Sequence, residues 1–188
     1  MTATSEQAPV GLSLHTCIKR AQSTAPALRR RLAAFLYEGV LLFGLLMVVG
    51  GIYSVITNQR HGMHGREGMM ATIFLALSLY FMWFWTHGGQ TLAMRTWHLR
   101  LVSAQGLPLS LGQALKRYLL SWLWLMPPWI GAWMAGWHQS KWVYGAMLIW
   151  MLIFSLLTRL LPQNQFLHDA ICGTRLIDTR PDLASTAP

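Results

Sequence analysis

The sequence predicts an all-α integral membrane protein, a bundle of four transmembrane helices with both termini in the cytoplasm. Composition supports this class, because the 188-residue chain is 54% hydrophobic and only 11% charged, whereas about 25% of residues are charged in an ordinary soluble domain. The apolar residues gather into four long runs, and the basic residues flank those runs with a strong bias toward one side. A membrane protein is therefore expected before any motif is considered.

The four apolar runs define the predicted spans, since an α-helix needs about 20 apolar residues to cross the hydrocarbon core of a bilayer. They lie at residues 32–56, 69–86, 118–137 and 142–158. The third run is interrupted by Pro127 and Pro128. Membrane helices tolerate proline where neighbours satisfy the freed backbone carbonyls, so the third span is expected to be a kinked helix, with a re-entrant hairpin as the alternative.

The distribution of basic residues orients these spans. The two tails and the segment 87–117 fall on one side of the membrane and hold 12 of the 15 lysines and arginines, whereas the loops 57–68 and 138–141 hold 3. The 12 are Lys19, Arg20, Arg29, Arg30, Arg31, Arg95, Arg100, Lys116, Arg117, Arg159, Arg175 and Arg180. Because cytoplasmic loops carry the excess of basic residues, both termini are expected in the cytoplasm.

Residues 29–178 form the predicted transmembrane domain, between flexible tails at 1–28 and 179–188. The first tail lacks the apolar segment of a signal peptide, so no cleavage is expected. Nucleic-acid binding is not expected, because the basic residues flank apolar runs rather than filling one solvated face. Cys17 and Cys172 are interpreted as ordinary thiols, since neither belongs to a metal or redox motif.

Two cytoplasmic segments are predicted to form a short β pair. Residues 97–103 alternate apolar and polar side chains, and residues 174–178 alternate more weakly, a pattern typical of strands. The glycine pair at Gly88 and Gly89 is interpreted as a helix stop and tight turn. Ser110 is interpreted as the N-cap of a helix that leads into the third span.

One acidic residue, Glu38, lies inside the first apolar run. An acidic side chain at the centre of a membrane helix costs about 3 kcal/mol on insertion scales, so Glu38 is expected to face the bundle interior or a water-filled cleft. Arg31 shares its helix face about 10 Å away along the axis, which makes direct pairing marginal. The candidate ion-pair partners are Arg30, Arg95, Arg117 and Arg175. A buried ion pair that fixes helix packing and a proton or cation site both stay open.

Two further groups of titratable residues carry alternatives. His168 and Asp169 follow the fourth span; an acid/base pair is one interpretation, and a turn in which Asp169 caps a helix or pairs with an arginine is favoured. His61 and His64 form an H-x-x-H pattern that is compatible with metal binding, but the glycines around them favour a mobile loop. Because no nucleophile, metal cluster or cofactor motif appears, an enzyme is not expected.

Three stretches together resemble the RDD family of bacterial membrane proteins. They are ALRRRLAAFLYEGVLL (27–42), GGQTLAMRTWHLRLVSAQGLPLSLGQALKR (88–117) and FLHDAICGTRLI (166–177). The family is named for an arginine at the start of the first helix, an aspartate within that helix and a second aspartate. By position these fall on Arg31 (Arg30 is the next choice), Glu38 and Asp169. Glu38 departs from the family aspartate by one methylene, and Ala93 stands where the family often has glycine.

The resemblance implies a multi-pass protein of the bacterial inner membrane. No cofactor is expected, because the sequence contains no cofactor motif. Transport of unidentified ligands has been suggested for the family, and some members resemble cation/proton antiporters. The first hypothesis is therefore transport, in which Glu38 binds a proton or cation while Arg31 and Asp169 tune it. The second is a non-transporting scaffold or accessory subunit, in which this charged trio holds the bundle together and tryptophan and small-residue faces bind a partner membrane protein. Four spans are few for a transport pathway, which favours a homo-oligomer or the second hypothesis.

Overall fold

The computed structural model describes residues 13–58, 65–124, 126–136, 142–158, 160 and 164–180. Its elements in chain order are α1 (Leu14–Ala21), α2 (Leu28–Ile56), α3 (Arg66–Thr86), α4 (Leu92–Thr96), β1 (Leu99–Ser103), α5 (Leu111–Ser121), a 3₁₀ turn (Trp122–Trp124), α6 (Met126–Met134), α7 (Trp142–Leu157), α8 (Leu167–Cys172) and β2 (Thr174–Asp178). The His61 and His64 positions, the loop 138–141, and residues 1–12 and 181–188 of the predicted tails lie outside the described residues.

Two helices, α2 and α3, are long and apolar enough to cross a membrane. At 1.5 Å per residue, their 29 and 21 residues extend about 43 and 32 Å, against a hydrocarbon core of about 30 Å. The first long helix begins at Leu28, four residues before the apolar run, so the arginine triplet lies in its first turn. The predicted first and second spans therefore correspond to α2 and α3.

The segment predicted as a single kinked third span is instead divided. Helix α5 ends at Ser121, a 3₁₀ turn follows, and α6 begins at Met126. Pro127 and Pro128 fall in the first turn of α6, where a missing N–H is harmless, whereas in a helix interior each proline would remove a hydrogen bond. The chain therefore restarts a helix at the prolines rather than passing through them. The fourth predicted span corresponds to α7, a shorter apolar helix of 16 residues.

The predicted β pair is confirmed. Strands β1 and β2 are antiparallel, with Leu101 opposite Leu176 and Ser103 opposite Thr174. Alternate side chains point to opposite faces of a sheet. Leu99, Leu101 and Leu176 pack into the main core, while Val102 and Ile177 pack against Cys17 and Ala21 of α1. Both faces are covered, which explains why this two-stranded sheet is buried.

The turn after α3 joins this helix to the sheet. Gly89 has a φ of +70°, and a Cβ at that position would come within 2.3 Å of the Leu101 carbonyl oxygen. The Leu101 N–H donates to the Gly89 carbonyl at 2.7 Å, and Gln90 donates through Nε2 to the Leu99 carbonyl at 2.7 Å. The predicted helix stop and tight turn is therefore present, and it holds the next residue, Thr91, at a fixed place beside β1.

Helix α5 begins where the sequence predicts, with Ser110 as its N-cap in a capping box with Gln113. Two turns further on, Tyr118 is buried and donates through its hydroxyl to the Phe74 carbonyl of α3 at 2.9 Å. Its ring also packs against that of Phe74, with centroids 5.2 Å apart. This contact joins α5 to α3 and leaves α2 facing them across a space lined by side chains of all three helices.

Candidate ligand cavity between α2, α3 and α5

The carboxylate of Glu38 is held by two hydroxyl groups. Glu38 lies on α2 and is 8% exposed. Tyr80 of α3 donates through its hydroxyl to Oε1 at 2.6 Å, and Thr91 donates to Oε2. Thr91 also serves as the N-cap of α4, since its Oγ1 accepts from the Met94 N–H at 3.2 Å. The Thr91 hydroxyl therefore both caps α4 and donates to the Glu38 carboxylate.

These contacts differ from the arginine partners expected for Glu38. Among the described residues, no arginine lies within salt-bridge distance of this carboxylate. Arg117 contacts Asp169 instead, Arg175 donates to the Ala21 carbonyl, and Arg95 is exposed in the last turn of α4. The sequence could not show which helix face each of these arginines would occupy.

Asp169 is the acceptor for Arg117, which confirms the favoured interpretation that it pairs with an arginine. The carboxylate is 0% exposed. Its Oδ1 accepts from Arg117 Nε at 2.6 Å and from Thr174 Oγ1 at 3.0 Å. Burial alone would raise the pKa of Asp169, but the charge of Arg117 and these hydrogen bonds outweigh it and hold the pKa below its ordinary value. The Arg117 guanidinium also stacks on Trp85 at 4.3 Å.

His168 is buried beside this pair. Burial lowers its pKa to about 4, and the positive charges of Arg117 and Arg31 contribute in the same direction against the attraction of Asp169. The imidazole is therefore neutral at neutral pH, which argues against an acid/base pair with Asp169 under those conditions. Its Nε2 lies 3.7 Å from Asp169 Oδ1, and its ring stacks on that of Phe166 with centroids 5.5 Å apart.

Arg31 is buried with incomplete hydrogen bonding. It is 4% exposed, and its guanidinium lies 4.5 Å from the centroid of the Phe166 ring. Its Nε and Nη1 have no hydrogen-bond partner among the described residues. Asp169 acts on it through charge, but no salt bridge joins the two in the described part of the chain. Most buried polar groups are hydrogen-bonded, so Arg31 is an exception within this site.

Arg30, the neighbouring residue, points toward the sheet, and both of its terminal nitrogens donate hydrogen bonds. Its Nη1 donates to Asp178 Oδ2 at 2.5 Å, and its Nη2 donates to the Trp97 carbonyl at 2.5 Å. Partial burial would raise the pKa of Asp178, but hydrogen bonds from Arg180 and Arg30 hold it well below its usual range. Arg30 therefore fastens the start of α2 to the sheet and lies outside the charged cavity.

A cavity of about 320 Å³ lies against this group of residues. Arg31, Glu38, Arg117 and His168 contribute to its wall, together with many apolar side chains of α2, α3 and α5. Ligand pockets typically have volumes of about 300–1,000 Å³, with apolar walls and a few polar groups. No cluster of three or more His, Cys, Asp and Glu side chains that could hold a metal ion occurs in the described ranges.

The structure brings only part of the expected charged trio together. Arg31 and Glu38 both line the cavity, whereas Asp169 is not part of its wall and forms an ion pair with Arg117, which is part of it. The hydroxyl partners Tyr80 and Thr91 were not foreseen. Tyr80 is a residue with a polar tip inside an uncharged span, and Thr91 stands directly before a short helix; both features were visible in the sequence.

Comparison with known proteins identifies one match. The RDD family model matches residues 25–173, which include every residue of the cavity wall that carries charge. No curated protein and no solved structure matches the chain.

Proposed function

This chain belongs to the RDD family, and we propose that it is a multi-pass protein of the bacterial inner membrane in which the cavity between α2, α3 and α5 serves transport. Two apolar helices of spanning length support the membrane location. The observation that carries the proposal is the cavity itself, which has a buried carboxylate and a buried guanidinium in its wall. Ionisable groups within membrane segments commonly mark ion or substrate pathways.

The sheet supports an arrangement with both termini on one side. Helices α2 and α3 together carry the chain across and back, so β1 lies on the same side as α1, which packs against the sheet. Because β2 pairs with β1, the chain between them makes an even number of crossings. The third and fourth predicted spans, now α5–α6 and α7, would supply two. The excess of basic residues on the sheet side supports a cytoplasmic location for that side.

Glu38 is the proton-binding group in this proposal. Each of its oxygens contacts a hydroxyl group, from Tyr80 and from Thr91. A hydroxyl can donate to a carboxylate and can also accept from a carboxylic acid, so both protonation states of Glu38 keep their hydrogen bonds. A buried carboxylate paired with arginine would instead be held in its charged form. The two hydroxyls therefore suit a residue that gains and loses a proton during transport, as in proton-coupled cation exchange.

Proton flux in proteoliposomes tests this role. Vesicles with an acidic interior and a trapped pH-sensitive dye are diluted into sodium or potassium chloride, and the rise in internal pH is followed. Glu38→Gln should reduce the rate to that of empty vesicles, because the amide cannot release a proton, whereas Glu38→Asp should keep part of it. Glu67→Gln is the matched control, since Glu67 is exposed in the first turn of α3. Wild-type flux from Glu38→Gln would rule out the proposed role.

A non-transporting scaffold is the second candidate, and the surface of α6 favours it. Trp129 and Trp133 are four residues apart on one face of this helix, and both are exposed. Tryptophan is enriched where proteins bind one another. On this reading α6 binds a partner membrane protein or a second copy of the chain. Trp133→Ala should then lower recovery of the complex, and Glu38→Gln should lower folded yield without changing flux.

A further inference from the structure

A continuous row of aromatic rings lines the cavity on the side of α3 and α5. It consists of Trp85 and Phe81 of α3, Tyr118 of α5 and Trp122 in the turn that follows α5. The centroids of successive rings lie 4.9, 6.1 and 6.2 Å apart, which are distances typical of interacting aromatic pairs. These four rings form the aromatic wall of the cavity. Because the face of such a ring is negative, the wall can attract a cation.

One end of the aromatic wall already holds a cation of the protein itself. The Arg117 guanidinium lies 4.3 Å from the centroid of the Trp85 ring, and the Arg31 guanidinium lies 4.5 Å from that of Phe166, another residue that lines the cavity. The remaining three rings of the wall are covered by no cation from the described part of the chain. They therefore line the cavity without a positive partner of the protein's own.

Glu38 contributes a carboxylate to the α2 side of the same cavity. Tyr80 joins it to the aromatic wall, because the Tyr80 hydroxyl donates to Glu38 Oε1 at 2.6 Å and its ring lies 5.2 Å from that of Phe81. Among the described residues that line the cavity, no other is acidic. Phe35 precedes Glu38 by three residues, which places it on the same helix face, and it adds a further ring to the lining.

The two arginines of the lining do not exclude a cation, because two carboxylates balance them. Asp169 forms an ion pair with Arg117 and attracts Arg31 through its charge. Arg31 is two helical turns from Glu38, or about 10 Å along α2. With Glu38 ionised the four groups sum to zero, so one bound cation leaves the same net charge as one bound proton. A cation and a proton therefore compete for Glu38, as exchange requires.

The surroundings of Glu38 suit an organic cation better than a divalent metal ion. Mg²⁺ and Ca²⁺ take about six or more oxygen ligands, whereas both oxygens of Glu38 already accept from hydroxyl groups. A quaternary ammonium group makes no conventional hydrogen bonds and is recognised by aromatic faces. The cavity of about 320 Å³ is at the lower end of the range for ligand pockets, which suits a small organic cation.

We propose that the cavity binds a monovalent organic cation, a substituted ammonium ion, between the Glu38 carboxylate and the rings of Phe81, Tyr118 and Trp122. The proposal rests on the proposed function, since it names the class of cation that is exchanged for the proton at Glu38. Because the ammonium ion and the proton neutralise the same carboxylate, binding of one releases the other.

Binding of a labelled ammonium ion to the unaltered full-length protein tests the proposal. Tritiated benzyltrimethylammonium is equilibrated by dialysis with the protein in phosphatidylcholine nanodiscs, and empty nanodiscs give the background. Saturable binding is expected. Choline should displace the label, whereas 3,3-dimethylbutanol, in which a carbon replaces the ammonium nitrogen, should compete at least about tenfold less well. Equal competition by the uncharged alcohol would overturn the proposal, because the cavity would then recognise shape alone.

Substitutions on the two sides of the cavity locate the ammonium group. Glu38→Gln should weaken binding of the label about tenfold or more, and Phe81→Leu about threefold or more, since each removes one attraction for the cation. Phe81→Tyr keeps the aromatic face and should stay within about twofold of wild type. Trp83→Leu is the control, because Trp83 lies on α3 but is exposed outside the cavity. Undiminished binding in either Glu38→Gln or Phe81→Leu, shown to be folded by circular dichroism, would refute the site.

The pH dependence of binding separates Glu38 from the other ionisable groups. Binding of the label should strengthen as pH rises, because only the ionised carboxylate attracts the ammonium ion, and Glu38→Gln should remove this dependence. His168 stays neutral above about pH 6, since its pKa is about 4. An unchanged pH profile in Glu38→Gln would contradict competition at Glu38. The other charged or titratable groups around the cavity in the described chain are Arg31 on α2, Tyr80 on α3, Arg117 and Tyr118 on α5, and His168 and Asp169 on α8.

Proton flux separates this inference from the proposed function. Benzyltrimethylammonium chloride outside acidic vesicles should raise the internal pH, since the ammonium ion enters as a proton leaves. Absence of this flux and of saturable binding, in protein that shows Glu38-dependent flux with sodium or potassium chloride, would overturn the inference and leave the proposed function standing. Wild-type flux in Glu38→Gln, with ammonium binding that still requires Glu38 and Phe81, would do the reverse.

Discussion

Arg30 and Arg31 are neighbours in the chain and differ in almost every structural respect. Arg30 contacts the Asp178 carboxylate and two backbone carbonyls at the edge of the sheet. Arg31 is more deeply buried, lies over the Phe166 ring and leaves two nitrogens without a partner in the described structure. Successive residues on an α-helix point about 100° apart, so one arginine meets the sheet while the next meets the cavity.

The charge of Arg30 has a structural role, whereas folding alone does not explain the burial of Arg31. Arg30 donates to a carboxylate and to two backbone carbonyls, and it joins α2 to β2. Arg31 incurs the cost of burial without the hydrogen bonds that would offset it. Incompletely satisfied groups of this kind in a folded protein often belong to a binding site. We therefore expect Arg30 to contribute mainly to stability and Arg31 mainly to activity.

The largest expected effect concerns Asp169, the buried acid that forms an ion pair with Arg117 of the cavity wall. Asp169→Asn leaves Arg117 buried without its counter-charge, which should lower the free energy of unfolding by about 3–5 kcal/mol. Denaturant titration in detergent micelles measures the change. Asp178→Asn is the matched control, and it should cost less because Asp178 is partly exposed. Equal losses in the two variants would show that burial does not distinguish these two ion pairs.

A smaller effect is expected from acid, through His168. Its pKa in the folded protein is about 4, below the value of about 6.5 for an unperturbed histidine. As pH falls, the unfolded chain therefore binds the proton first, so the stabilising contribution is complete above about pH 6.5 and is lost progressively down to about pH 4. The loss should reach about 3 kcal/mol. His168→Phe should flatten this part of the profile of unfolding free energy against pH, and the exposed control His15→Gln should leave it unchanged.

Arg30→Gln should produce a still smaller loss of stability. Hydrogen bonds to charged groups contribute about 1.5–3 kcal/mol, and the partial exposure of the Arg30–Asp178 pair reduces this through solvent screening. The expected decrease in the free energy of unfolding is about 1–2 kcal/mol, measured by denaturant titration. A loss as large as that of Asp169→Asn would mean that the sheet edge, rather than the buried cluster, is the main electrostatic support of the fold.

Arg31→Met should have the smallest effect on stability, with a change of less than about 1 kcal/mol or a slight gain. Replacing a buried charge that lacks partners by an apolar side chain of similar length is often neutral or stabilising. The same denaturant titration measures it beside Arg30→Gln. A loss of more than about 3 kcal/mol would show instead that Arg31 is a structural ion, held by Asp169, and that the two arginines share one role.

The sequence predicted the elements of the fold better than the contacts of the site. The two long apolar helices, the β pair, the Ser110 cap and the turn at Gly89 follow from local patterns of hydropathy and backbone preference. The partners of Glu38 do not, because they depend on how α2, α3 and α4 pack. Charge complementarity predicted arginine partners for Glu38, whereas helix packing brings the hydroxyl groups of Tyr80 and Thr91 to its carboxylate. The division of the third span at Met126 was signalled by Pro127 and Pro128, but their position in a first helical turn depends on where α5 ends.

The central claim is that Arg31 contributes to transport through the cavity, whereas Arg30 contributes to the stability of the fold. Proton flux in proteoliposomes, normalised to folded protein, tests it most directly when Arg30→Gln and Arg31→Gln are measured side by side. The account predicts that Arg31→Gln lowers the flux about tenfold or more, because it removes a buried positive charge from the cavity wall and each tenfold step corresponds to only about 1.4 kcal/mol. Arg30→Gln, which lies outside the cavity, should stay within about twofold of wild type. Equal losses in the two variants, or wild-type flux in Arg31→Gln, would contradict it.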